Sequence, residues 1–99
     1  MANYVLTNKA VEDLTEIWNN TFDVWSETQA DRYYEMLIEA CQELATEKII
    51  GKDYPEIMLG MMGLRIAQHI IFYRKINANS IEIARILHGR MDLRNRIQY

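Results

Sequence analysis

His88 and Arg90 stand one residue apart in the stretch His88-Gly89-Arg90-Met91-Asp92, which closes an apolar, strand-like run. Histidine titrates nearest to neutral pH, and arginine is a permanent cation. Cleavage of a phosphodiester needs a general base, a general acid and a charge stabiliser close to the scissile phosphate. His88 and an arginine fill two of those roles. Arg65, Arg74 and Arg85 lie in the same half of the chain, so Arg65, Arg74, Arg85, His88 and Arg90 form a candidate basic patch for phosphates. A plainer reading stands beside this one. His88 is then a strand-end histidine bonded to backbone or to a carboxylate, and Arg85 a partly buried arginine paired with an acid from a helix.

Other chemistries find less support. Cys41 cannot form an internal disulfide, being the only cysteine, and it falls on an apolar helical stripe. It therefore reads as a small core residue. Glu35, Glu39 and Glu43 recur every four residues, the spacing of a solvated helix edge rather than of a catalytic carboxylate pair. Gly60 and Gly63 lack the Lys-Ser/Thr or third glycine of a phosphate loop. The two histidines and the cysteine are far apart in sequence, so no metal and no cofactor is expected.

The elements that position these residues are legible in outline. Asn3 to Leu6 reads as a short strand. Thr7 and Asn8 offer N-cap oxygens, and Ala10, Leu14, Ile17, Trp18 and Phe22 recur at helical spacing. Ser26-Glu27-Thr28-Gln29 fits a capping box, predicting a second helix with Ala30, Tyr34, Leu37, Ile38, Cys41, Leu44 and Ala45 on its apolar side. The short connection from Asp23 to Ser26 makes the pair an antiparallel hairpin. Gly51 and Pro55 should stop helical structure, and a Met-rich segment follows to Ala67. His69 to Ile76 and Ile81 to Leu87 read as two strands about a polar turn, Asn77 to Ser80. Alternation puts Arg85 and Leu87 on one face of the last strand and Ile86 and His88 on the other. The order predicts an α+β fold: an N-terminal strand, then a two-helix hairpin packed on a small antiparallel sheet that the first strand joins.

With 99 residues the chain has room for one small domain. No secretory signal is visible, and the longest apolar stretch, 57–64, is too short to span a bilayer, so a cytoplasmic location with no membrane contact is expected. The net charge of −3 conceals a split. Residues 1–56 carry four basic against twelve acidic side chains, and residues 57–99 carry seven against two. The second half is therefore suited to face something negative.

The order of residues also resembles a known family. His69-Ile70-Ile71-Phe72-Tyr73-Arg74, followed by Ile81-Glu82-Ile83-Ala84-Arg85-Ile86-Leu87-His88-Gly89-Arg90-Met91-Asp92, is similar to the C-terminal signature of ParE-type toxins in the RelE/ParE superfamily. Ala10 to Trp18, Trp25, Gln29 to Tyr33, Glu56-Ile57 and Gly60 keep the same family's register, so the resemblance spans nearly the whole chain.

The resemblance implies the fold just derived and a ParD-like antitoxin whose C-terminal segment wraps the toxin. It implies poisoning of DNA gyrase by trapping cleaved DNA, without nuclease activity and without direct sequence-specific binding of nucleic acid. RelE-type relatives instead cut mRNA on the ribosome with basic residues and a C-terminal aromatic or histidine. Here the region that would carry those basic residues holds Met58, Met61 and Met62, and the ParE pattern often has an arginine where Met62 stands. Tyr99 lies well beyond the strand end. Two alternatives to gyrase poisoning thus stay open: a ribosome-dependent endonuclease using His88 with Arg74, Arg85 or Arg90, and an interaction-only protein without toxicity. The expected contact residues for antitoxin or target are Met58, Met61, Met62, Arg65, Arg74, Arg85, His88, Arg90, Arg94 and Arg96. The methionines are flexible core fillers or an adaptable docking surface.

Overall fold

A computed structural model describes residues 2–89. Strand β1 (Asn3–Leu6) leads into helices α1 (Asn8–Val24) and α2 (Glu27–Ala45), followed by β2 (Lys52–Asp53), β3 (Met62–Ile66), β4 (His69–Asn77) and β5 (Ser80–His88). The strands form one sheet in the order β1-β5-β4-β3-β2. The pairs β2–β3, β3–β4 and β4–β5 are antiparallel, but β1 runs parallel to β5. The sheet is therefore mixed. A strand that precedes a helical hairpin returns to the sheet beside the last strand, and it lies parallel to it.

Both helix starts form as their sequences require. Thr7 caps α1 by accepting the Ala10 N–H, and Ser26 caps α2 by accepting the Gln29 N–H. Trp25 and Ser26 alone separate the helices, and the Trp18 indole N–H donates to Asp31 at 3.0 Å across the hairpin. The chain leaves α2 earlier than Gly51: α2 ends at Ala45, and Glu47 takes the left-handed conformation at φ 62°. The turn between β4 and β5 is also tighter than expected. Only Ala78 and Asn79 lie outside the strands, and the Asn77 side chain accepts the Asn79 N–H.

The helices cover one face of the sheet. Leu14 and Ile17 from α1 and Leu37, Cys41 and Leu44 from α2 pack on Ile71, Tyr73, Ile81, Ile83 and Ile86. Tyr34 is 40% exposed and does not join this core; Tyr33, one position earlier, is the ring that packs against it. A second cluster lies apart from the helices: Met61, Ile70, Phe72, Ala84 and Leu87, with Tyr54, Ile57 and Met58 of the β2–β3 connection packed over it. The Tyr54 ring meets Phe72 edge-on at 5.2 Å.

One irregularity sets the faces of β5. Phe72 opposes Arg85 but Tyr73 opposes Ile83, so Ala84 is an extra residue on β5. Ile83 and Ile86 both reach the helix-side core despite lying three apart, because the bulge between them restores the inward direction.

Candidate functional site

The free edge of β5 organises the site. β1 pairs with β5 only as far as Ile83. Beyond it, α1 takes over the work of a neighbouring strand. The Thr7 N–H donates to the Ile83 carbonyl at 3.1 Å, and the Thr7 hydroxyl donates to the Ala84 carbonyl at 2.7 Å. One turn and a half further on, Asp13 accepts the Ile86 N–H at 3.0 Å. The same carboxylate takes two hydrogen bonds from Arg85, 2.8 Å from Nε and 2.9 Å from Nη2. Asp13 is only 8% exposed, the one buried charged side chain among the described residues. Three donors make its burial tolerable. The bond to Asp13 holds the Arg85 guanidinium above its ordinary pKa, outweighing its partial desolvation.

Past this clamp, β5 ends at His88 opposite His69 of β4, their rings edge to face with centroids 5.3 Å apart. Tyr33 of α2 fixes His69: its hydroxyl and His69 Nδ1 share a 2.7 Å hydrogen bond, and it also accepts the Gln68 N–H at 3.2 Å. Burial pushes the His69 pKa down to about 4, and His88 pushes it the same way, so His69 is neutral at pH 7. The two histidines, with Asp13, Glu16 and Asn20 of α1, border a cavity of about 330 Å³ floored by Ile17, Ile86 and Leu87.

The expected contact residues do not form one patch. Arg85 is held by Asp13 on the helix side. Arg74 is paired with Glu82, directly opposite on β5, at 3.0 Å. Arg65 donates to the Ala67 carbonyl, and its guanidinium occupies the space that a Cβ at Gly89 would fill. Met61 is 1% exposed, so in this chain it is a core residue and not a docking surface. Met58 packs half-buried over the same cluster, while Met62 packs on the helix-side core. Arg90, Arg94 and Arg96 lie outside the described residues. Cys41 is buried and its thiol is pushed up to about 12 by desolvation, which leaves it unreactive.

Sequence reasoning anticipated that a helix acid would pair with Arg85 without singling out Asp13, and it missed Tyr33 and His69 as partners of this site. His69 and His88 are 19 residues apart, which had argued against their meeting. A signal was present, however. A hairpin centred on Ala78-Asn79 pairs positions that sum to 157, and 69 with 88 does so. The Ala84 bulge is offset by a second irregularity between Lys75 and Asn77, so the far end keeps that register.

The arrangement is poorly suited to phosphate. The paired histidines share the cavity with the carboxylates of Asp13 and Glu16, and Arg85 is engaged by Asp13. An incoming phosphodiester would meet negative charge. No group of three or more His, Cys, Asp or Glu residues that could hold a metal occurs among the described residues, nor does any described helix have the length and apolarity to cross a membrane.

Comparison with known proteins identifies the family of the chain. Residues 4–93 match the family described as the ParE toxin of the type II toxin–antitoxin system parDE. The chain is 36% identical over 92 residues to Toxin ParE1 of Mycobacterium tuberculosis, covering 93% of this chain and 94% of that one. It is 31% identical over 97 residues to Toxin ParE of Escherichia coli, covering 98% and 94%. Among solved structures, a chain of the chromosomal ParDE system from P. aeruginosa superposes with a TM-score of 0.74 at 21% identity, covering 89% of this chain and 96% of that one. That likeness speaks to the fold.

Proposed function

Because the chain belongs to the ParE toxin family of type II toxin–antitoxin systems, we propose that it is a cytoplasmic gyrase poison held inactive by a ParD-like antitoxin. The match over residues 4–93, from β1 past the end of β5, carries this reading. The acid-flanked histidine pair supports a binding role over a nuclease one, since cleavage of RNA would need cations where Asp13 and Glu16 stand. The toxin works by occupying and distorting its target's reaction cycle, with no catalytic residue of its own.

The purified chain is expected to inhibit supercoiling by gyrase, to accumulate cleaved DNA on it, and to lose both effects when antitoxin is added. Gyrase that supercoils normally and traps no cleaved DNA would overturn the proposal. Two further measurements separate the alternatives. A His88→Ala chain that stays folded and fully toxic removes the endonuclease reading, and growth arrest on induction removes the interaction-only one.

A further inference from the structure

The cleft between the helical hairpin and the end of the sheet consists of two cavities in series. The polar one, about 330 Å³, is walled by Asp13, Glu16 and Asn20 on the α1 side. The other, about 430 Å³, is walled by Val24 and Trp25 at the hairpin tip and by Tyr33 of α2. Asn20, His69 and His88 border both, so the two form one groove with a polar arm and an apolar arm.

Each arm has a distinct chemistry. In the polar arm, Asp13 and Glu16 both act on the single guanidinium of Arg85, as does Glu12 beside them in sequence. Asp13 satisfies Arg85 with two hydrogen bonds, while Glu16 stays exposed and His69 adds no positive charge at neutral pH. The arm is therefore negative among its described residues, although it belongs to a chain whose second half is basic. In the apolar arm, Trp25 is 74% and Val24 72% exposed. The hairpin does not need that tryptophan for packing: Trp18 is the ring that stacks on Phe22 at 5.3 Å and bonds across to Asp31. An exposed tryptophan beside a groove is the type of residue that anchors protein interfaces.

We propose that this groove receives a segment of a protein partner that sets a lysine or arginine against Glu16 and a bulky apolar side chain on Trp25 and Val24. The inference rests on the reading of the chain as a partner-bound toxin, and it reverses the simplest expectation from charge. The basic second half suggests an acidic partner, yet Arg85 and Arg74 are already opposed by Asp13 and Glu82. A basic, apolar segment fits the groove as its described residues line it.

Isothermal titration of the purified chain with its antitoxin, and separately with gyrase holoenzyme, tests this. Glu16→Lys and Trp25→Ala change exposed side chains, with Val24→Ser as a second variant of the apolar arm and circular dichroism as the check on folding. Both arms' variants should weaken binding to the same partner by about tenfold or more, and Glu16→Lys should also flatten the salt dependence of that binding. Glu39→Lys, on the exposed side of α2, should bind as the parent does. Undiminished affinity of the groove variants for both proteins, or an equal loss in Glu39→Lys, overturns the groove and leaves the toxin reading standing. A parent chain that binds neither protein overturns both.

Discussion

Asp13 is the residue on which the site turns, and nothing in its neighbourhood in the sequence marks it. It lies beside Glu12 and near Glu16 on α1, past the first turn of the helix, where carboxylates are ordinary surface residues. In the fold it neutralises Arg85 and satisfies the Ile86 N–H. Removing one partner of such a pair strands the other, so Asp13→Ala should lose about 3 kcal/mol in urea unfolding. In the Asp13/Arg85 double-mutant cycle, the pair should show a positive coupling. His69 gives a second expectation. Its folded pKa, about 4, lies below the ordinary value of 6.5, so between those values the unfolded chain binds more protons. Stability should thus fall as pH drops from 7 towards 4. The ring keeps some solvent contact, which screens the effect, so the loss attributable to His69 should be about 1–2 kcal/mol. His69→Phe should flatten that part of the profile in melts taken across this pH range; an unchanged slope would show that other groups set it.

At the scale of elements, α1 does two jobs. It covers the sheet and it caps the edge of β5 where β1 stops. Thr7 is the joint, since its side chain accepts from Ala10 and donates to Ala84. Thr7→Val keeps the shape but removes both bonds, so it should cost about 2 kcal/mol, more than the roughly 1 kcal/mol expected for Ser26→Ala, which loses a cap alone. Thr7→Ser should recover most of the loss. Chemical denaturation of the three variants checks the order. The capping signals of α1 and α2 were readable because they are local: an oxygen and an N–H three residues apart. The end of α2, the tight β4–β5 turn and the Ala84 bulge were not, because each depends on what the neighbouring strand or core requires.

The whole molecule is two cores on one sheet. Hydrophobic periodicity revealed the helix-side core, since an amphipathic stripe must meet an apolar sheet face. The second core was hidden, because the segment that builds it, 54–61, has no regular period. Met61→Ala should therefore destabilise the chain by about 2–4 kcal/mol, as expected for emptying a fully buried site. If Met61 were chiefly a docking residue, the variant would keep its melting temperature and lose partner affinity instead.

The sequence by itself determined the first strand, the two helices and the last hairpin in their order, both helix caps, the α+β class and the family, because these follow from local spacing and from the order of residues along the chain; β2 and β3 came only with the structure. Tertiary structure alone decided that β1 lies parallel to β5 and that Met61 is enclosed. It also decided that the arginines are separated onto different partners and that His69 meets His88 and Tyr33 beside a carboxylate-lined cavity. The contacts of that cavity join residues as far as 73 positions apart. Which acid reaches which arginine is set by where β1 ends and α1 crosses the exposed edge of β5.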